Sequence, residues 1–292
     1  MLEVNRIYKI DVLDGLKQVD NNSCHSIIID PPYNIGKDFG NNKDKRELGE
    51  YLEWCDKWIS ECVRVLKTNG TMFIYGFSEI LAHVFTRITI NKRWLIWHYT
   101  NKNVPSLKFW QRSHEGIICC WKDDPVFNLD EVREPYTNGF LNGAAGKVRA
   151  GTNGRFSRNG KETIYNAHPR GALPRDVIKI PTLAGGAGIA ERWFLCKNCK
   201  KVYSSKQLKT HQKHKIVQHP TQKPLALCDK LILSAKQKDG IVLVPFAGVG
   251  SECVSARNNG LDFIGFEINQ EYIKIAEERI KATSNLFHSS CV

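Results

Sequence analysis

The 292-residue sequence contains no apolar run approaching the roughly 18 residues that a membrane-crossing helix needs. Its opening residues, MLEVNRIYKID, lack the basic-then-apolar order of a secretory leader. Together these absences exclude a helical membrane protein and point to the cytoplasm. No internal repeat is found, which excludes solenoids and propellers. A disulfide framework is missing as well: there are ten cysteines, but Cys24, Cys62, Cys119, Cys120 and Cys253 stand inside apolar stretches, as reduced core cysteines do. Acidic residues are scarce, with 30 Asp and Glu against 42 Lys and Arg and a net charge of +12. The imbalance is local, because basic residues outnumber acidic ones roughly four to one from Arg133 to Lys215. A one-signed stretch suits a polyanion such as nucleic acid; the plainer reading is a solvated face.

What is present is an α/β rhythm at both ends of the chain. Ser26–Asp30 is a short apolar run ending at a Pro pair, as a buried parallel strand would. After a loop over Gly36–Arg46, Tyr51, Trp54, Cys55, Trp58, Ile59, Cys62, Val63 and Leu66 share one helical face, which Asn69-Gly70 closes. Strands are predicted at Ile7–Ile10, Thr71–Tyr75, Trp94–Tyr99 and Gly116–Trp121, and a helix at Ser78–Ile90. From Pro224 the rhythm resumes: helix Leu225–Ala235, strand Ile241–Pro245, helix Glu252–Asn259, strand Asp262–Glu267 and helix Gln270–Ala282. Between these ends the Gly-, Asn- and Arg-rich stretch Asp123–Pro181 has little periodicity and is either mobile or ordered only against a partner. The simplest architecture is one parallel sheet built from residues 1–122 and 219–292, with a basic insertion over 123–218.

The chemistry is concentrated in Asp30-Pro31-Pro32-Tyr33, at the C-terminal end of an apolar strand, where open α/β sheets bind ligands. An adenine amino group is a poor nucleophile because its lone pair is delocalised into the ring. Acceptors on its two N–H groups help it pyramidalise toward a methyl donor. Asp30 offers a carboxylate and Pro31 a carbonyl, and proline contributes no competing N–H. Tyr33 can stack on a base lifted from the duplex. Asp-Pro-Pro is also a turn that merely ends a strand, but the full string after Ser26-Ile27-Ile28-Ile29 is more specific than that.

This motif resembles the catalytic motif of the amino-methyltransferases, which act on DNA adenine, DNA cytosine, RNA or protein glutamine. Asp at its first position resembles the adenine enzymes; cytosine enzymes more often carry Ser, and glutamine enzymes Asn. A second block, Pro245-Phe246-Ala247-Gly248-Val249-Gly250-Ser251, follows a strand and opens a helix, and a further strand ends about twenty residues on at Glu267. Glycines admit a ligand to the backbone, the helix N-terminus favours a carboxylate, and the acid suits a ribose diol. The block resembles the family's S-adenosylmethionine site, with one departure: Val244 stands where the family usually has Asp. The string from His219 to Pro224 resembles the block that joins this site, which implies Thr221 and Lys223 at the methionine carboxylate. Asp11 resembles the acid that meets the cofactor's adenine, although a helix-capping Asp is an equal reading.

The catalytic motif precedes the cofactor motif by about two hundred residues. That order resembles the β class of DNA amino-methyltransferases and implies a circularly permuted, Rossmann-like methyltransferase sheet with an inserted target-recognition region. Trp97–Lys102 and His114-Glu115 resemble further segments of that class. The resemblance implies double-stranded DNA as substrate, and makes a homodimer and a cognate restriction endonuclease reasonable partners. Within the insertion, Cys196, Cys199, His211 and His214 look like four ligands of a structural zinc in a finger over 193–215, with Tyr203 and Leu208 near its core positions. The spacing is short by finger standards, and His219 could replace His214. The alternative is a reduced Cys pair beside exposed histidines. Three rival functions stand beside adenine methylation of DNA: cytosine-N4 methylation, RNA methylation, and a catalytically dead zinc-containing DNA-binding protein.

Overall fold

The computed structural model describes residues 2–39, 44–101, 105–149, 162–184 and 186–288. Parts of the expected Gly36–Arg46 loop, Lys102 and the glycine- and arginine-rich string over 150–161 lie outside the described residues. Two compact units are found, residues 1–127 with 176–292, and Asn128–Arg175.

The larger unit is organised by an eight-stranded sheet. Its N-terminal half supplies β1 (Arg6–Lys9), α1 (Val12–Leu16), β2 (Cys24–Ile29), α2 (Leu48–Val65), β3 (Leu66–Gly76), α3 (Ser78–Arg87), β4 (Asn91–His98) and β5 (His114–Trp121). Among the described residues the smaller unit carries a 3₁₀ turn at Leu129–Glu131, α4 (Asn138–Gly143), β6 (Val148–Arg149) and β7 (Thr163–Ile164). The chain then returns with β8 (Val177–Lys179), β9 (Trp193–Cys196), β10 (Lys201–Ser204), β11 (Ile216–Val217), α5 (Leu225–Ser234), β12 (Ile241–Val244), α6 (Ser251–Asn258), β13 (Asp262–Glu267) and α7 (Gln270–His288).

Strand order in the sheet is β1-β13-β12-β2-β3-β5-β4-β8. The first five strands run parallel, and β5 pairs antiparallel with both β3 and β4. The two ends of the chain therefore interleave, as the permuted motif order implies. β12 lies directly beside β2, with Val242 opposite Ser26 and Leu243 opposite Ile27.

Side chains alternate across the pleat and build a core on each face. Ile27, Ile29, Met72, Ile74 and Leu243 pack under α1, α2 and α3, whereas Ile28, Phe73, Tyr75, Val242 and Val244 pack against α5 and α6. Helix α2 buries the expected stripe, with Cys55, Trp58 and Cys62 wholly enclosed. Its end differs from expectation. Asn69-Gly70 does not close the helix, because α2 stops at Val65 and passes straight into β3. Gly70 instead lets β3 approach β2: a Cβ there would lie 2.8 Å from the His25 carbonyl.

The compact smaller unit, Asn128–Arg175, lies inside the insertion expected over 123–218. Residues from Asp176 onward belong to the larger unit because β8 pairs parallel with β4, and β9 packs on α7. The uniform basic character divides accordingly. In the smaller unit Arg133 and Arg170 pair with Asp130, and Arg175 with Glu134. By contrast Lys200, Lys201, Lys206, Lys209, Lys213 and Lys215 are exposed. Replacing Trp58 by Ala should lower unfolding free energy by about 3–5 kcal/mol, as expected for emptying an aromatic core position. Urea denaturation checks this through the midpoint, with the slope unchanged.

Candidate active site

Parallel neighbours put their C-terminal ends on one edge of the sheet. Asp11 follows β1, Glu267 ends β13, Pro245 follows β12 and Asp30 follows β2, in the order of four adjacent strands. The chain crosses in opposite directions from β12 and β2, so the gap between them is a switch point of the kind that opens a crevice. A cleft of about 670 Å³ lies there, lined by Asp11, Asp30–Tyr33, Thr221–Lys223, Pro245–Val249, Ser251 and Glu267 among others. Gly250, the remaining residue expected at the cofactor, caps α6 immediately behind this lining.

The Asp30–Tyr33 turn is held from inside. The Tyr51 hydroxyl on α2 donates to the Pro32 carbonyl at 2.8 Å, so Pro32's acceptor is engaged within the protein. Asp30 Oδ1 accepts from the Tyr33 hydroxyl at 2.7 Å and from Lys223 Nζ at 2.7 Å. The Tyr33 hydroxyl also lies 3.2 Å from Glu115 Oε2, and Lys223 Nζ lies 3.7 Å from the same oxygen. Tyr33 is 9% exposed and packs edge-on to Phe77 at 5.1 Å. In this state its ring is part of the wall of the site rather than a free stacking platform.

Lys223, expected to meet the methionine carboxylate, lines the cleft with its ammonium turned to Asp30. Its ammonium is 4% exposed, faces the rings of Tyr33, Tyr75 and Trp97, and is bound to the catalytic carboxylate. Burial alone would lower its pKa, but the charges of Asp30 and Glu115 hold it above the ordinary lysine value. Two further carboxylates at the site were not singled out by sequence as site residues. Glu115 comes from β5, where it sits opposite Trp97, and burial raises its pKa. Glu252, in the first turn of α6, is pushed up to about 7 by burial and then by the charge of Asp30. An acid in a first helical turn is ordinarily read as a dipole partner, which disguises Glu252. Glu115 had a signal in its resemblance to a family segment, though no role was attached to it.

On the cofactor side, Gly248 and Gly250 adopt φ of +51° and +74°, and Gly250 caps α6. A Cβ on Gly248 would lie 3.0 Å from His219 Nε2, and one on Gly250 2.9 Å from Ala276 Cβ, so the turn has room only for glycine. Glu267 accepts from Gly248 N at 2.8 Å and from Asn269 N at 2.7 Å, which fixes the carboxylate at the cleft wall. His219 is held neutral, its pKa lowered to about 3 by burial and by Lys223, and its Nδ1 accepts from Thr221 N at 3.3 Å. Asp11 lines the cleft while capping α1, its carboxylate accepting from Leu13 N at 2.9 Å. Val244 is 1% exposed within the core, and the polar contact an Asp would offer there is replaced by packing.

The Cys/His residues converge elsewhere. Cys196, Cys199, His211 and His214 bring their ligand atoms within 4.8 Å of one another, while His219 stands apart against Tyr272. The surrounding structure is a three-stranded sheet, β10-β9-β11, with a 3₁₀ turn at Ser205–His211, not a ββα finger.

Two measurements follow from the buried charges. Lys223→Met leaves Asp30 and Glu115 uncompensated, and stability should fall by about 3–5 kcal/mol. Adding Asp30→Asn should recover part of the loss in a double-mutant cycle read by denaturation. Glu252 gives a pH signature. Between its ordinary value of 4.5 and about 7 the folded protein keeps a proton that the unfolded chain has released. The folded state therefore binds more protons across that window, and this group's contribution to stability declines as pH rises through it. Glu252→Gln should flatten that part of the stability–pH curve.

Residues 24–278 match the DNA methylase family. The chain is 28% identical over 291 residues to the type II methyltransferase M.HpaI of Haemophilus parainfluenzae, covering 97% of this chain and 76% of that protein. It is 29% identical over 289 residues to the DNA adenine methyltransferase YhdJ of Escherichia coli K12, covering 97% and 85%. Among solved structures, the cytosine-N4-specific PvuII DNA methyltransferase superposes with a TM-score of 0.63 at 14% identity, over 97% of this chain and 90% of that one. With the family match spanning both motifs and the strands that carry them, the chain belongs to the N6/N4 DNA methylase family.

Proposed function

We propose that this protein methylates the exocyclic amino group of adenine in double-stranded DNA, with S-adenosylmethionine as methyl donor. The observation that supports this most is the meeting of Asp30–Tyr33 and Pro245–Ser251 around one cleft, at the ends of adjacent strands. The adenine assignment rests on Asp30 at the first motif position and on likeness to the Escherichia coli adenine enzyme. The Haemophilus relative's type II name extends the proposal to a cognate restriction endonuclease, and the family resemblance extends it to a homodimer.

The residues present fit the donor. The cleft volume lies within the range of small-molecule sites. Glycines keep the β12–α6 turn open to a ligand, and Glu267 is fixed where a ribose diol would meet it. Asp30 and Glu115 face the Lys223 ammonium at 2.7 and 3.7 Å, and Asp11 and Glu267 add acids toward the other end of the cleft wall. S-adenosylmethionine supplies an electrophilic methyl group on a sulfonium centre. Thr221, Pro245, Phe246, Ala247, Gly248, Gly250, Ser251 and Glu267 would hold it, with Asp11 at its adenine end.

The chain's own residues then act on the target base. Lys223 and Tyr33 occupy Asp30 Oδ1, which orients the carboxylate and leaves Oδ2 for one amino N–H. The Pro31 carbonyl takes the other. These acceptors raise the electron density of the amino nitrogen, and the same carboxylate oxygen can receive its proton once the nitrogen has become cationic. Leu107, Phe109 and Trp110 are 89%, 79% and 87% exposed on the β4–β5 connection. Arg112 of that connection covers Phe77, the ring beside Tyr33. Exposed apolar side chains there suit wedging between bases as the target leaves the stack. A zinc ion at Cys196, Cys199, His211 and His214 would be structural, since four protein ligands leave no open position.

Labelled S-adenosylmethionine and unmethylated genomic DNA should yield N6-methyladenine by nucleoside mass spectrometry, at one short motif when sequenced. N4-methylcytosine in its place would overturn the adenine assignment. Asp30→Ala should lower transfer by about 10²–10³ or more, with calorimetric S-adenosylmethionine binding largely kept. Unchanged turnover would remove Asp30 from the mechanism.

A further inference from the structure

The Cys/His cluster lies outside the cleft, and its dimensions are those of a metal site. Cys196 Sγ is 3.2 Å from His214 Nδ1, and Cys199 Sγ is 3.4 Å from the same atom. Cys199 Sγ is 3.7 Å from His211 Nδ1, and the two histidine Nδ1 atoms are 3.2 Å apart. A tetrahedral zinc with ordinary bond lengths needs edges of about 3.3 Å between nitrogens and about 3.6 Å between nitrogen and sulfur. All four separations lie close to those edges. Two nitrogens with Nδ1 facing each other at hydrogen-bond distance, and two sulfurs beside them, form the donor set that zinc selects.

The segment that carries these ligands has little of its own to hold it together. It consists of three strands of two to four residues and one 3₁₀ turn. Its interior is essentially Phe194 against Tyr203 and His211. Structures this small are usually completed by a metal or by disulfides.

Its inner face packs against the Gly248–Gly250 turn. Leu195, the residue before the first ligand, is buried in one cluster with Val249, Tyr272 and Ile275, and Trp193, Val202 and Val217 pack against that cluster. Val249 is the residue between Gly248 and Gly250. The Arg192 guanidinium donates to the His219 carbonyl at 2.6 Å, Gln222 donates to the Glu191 carbonyl at 3.0 Å, and Leu225 N donates to the Glu191 carboxylate at 3.0 Å. Lys197 pairs with Glu271 on α7 at 2.8 Å. The block from His219 to Pro224 and the glycine turn are thus both braced by this segment.

We infer that Cys196, Cys199, His211 and His214 bind one zinc ion, and that the ion fixes the β9–β11 segment against the cofactor turn so that cofactor affinity depends on zinc. The identity of the cofactor rests on the function proposed above; the metal site does not. Zinc would shape the methyl-donor pocket from behind, through Leu195 on Val249 and Arg192 on His219, without touching the reacting groups.

The test uses the full chain expressed with zinc. Metal analysis should give one zinc per chain, and Cys199→Ser with His214→Gln should lose it. S-adenosylmethionine affinity by calorimetry should fall at least tenfold after zinc removal by chelation and return when zinc is restored. Leu195→Ala, which keeps all four ligands, should retain zinc and still weaken cofactor binding severalfold, with circular dichroism showing an intact fold. Absence of zinc from the purified protein overturns the inference. So does zinc whose removal leaves cofactor affinity within twofold. Zinc-loaded protein that binds no S-adenosylmethionine at all overturns the cofactor assignment and the proposed coupling, and is told apart from the other failures by its intact metal content.

Discussion

The pairing of β2 with β12 is the constraint on which the site depends. These strands are more than two hundred residues apart, and in the folded chain they are hydrogen-bonded neighbours through Val242 opposite Ser26 and Leu243 opposite Ile27. Parallel alignment brings both C-terminal ends to the same edge, and neighbouring strands are separated by only about 4.8 Å. The acceptor turn and the glycine turn therefore emerge side by side without any loop having to reach. β1 against β13 repeats the arrangement one strand outward, bringing Asp11 beside Glu267. A permuted motif order has no chemical consequence, because only adjacency in the sheet matters to the cleft.

That adjacency also explains the buried charge cluster. Lys223 leaves the chain just before α5, yet its ammonium reaches Asp30 from β2 and Glu115 from β5. Glu252 approaches from the first turn of α6, directly after the glycine turn. One cation thus meets carboxylates from three elements, and its removal would leave several acids buried together. A buried ion pair of this kind contributes little net stability, but breaking it by removing one partner is costly. Its value here is positional, since it fixes one oxygen of Asp30 and defines which oxygen faces the cleft.

The sequence displayed much of this architecture. The strand Asp262–Glu267 was legible to the residue, because both its ends carry local signals and its interior is uniformly apolar. The α2 stripe was legible for the same reason, as helical periodicity survives any tertiary context. The helix end at Asn69-Gly70 was misjudged because the glycine answers a strand neighbour, His25, that no local rule can see. Lys223 lines the cleft that its motif implies, whereas its pairing with Asp30 has no local signal, since a motif gives proximity and not the direction of a long side chain. Glu115 and Glu252 become site residues only through folding: each sits in an ordinary local context, one in a strand, one in a helix's first turn. The four metal-type residues were readable from identity and spacing, whereas their position behind the cofactor turn depends on β9 docking to α7.

The distribution of charge follows from what a DNA methylase must hold at once. Lys223 stands against Asp30 and Glu115, while Lys37, Lys45, Arg46 and Arg192 line the same cleft alongside Asp11, Asp44 and Glu267, so its wall carries charge of both signs. The exposed lysines from Lys200 to Lys215 form a concentrated basic set on the same segment that braces the glycine turn. Arginines of the smaller unit such as Arg133 and Arg175 are already paired with its own acids, so part of the net charge of +12 is spent on internal structure. Basic charge is thus concentrated on the β9–β11 segment, outside the cleft, and a polyanion is drawn to that surface rather than to a wall where acids and bases alternate.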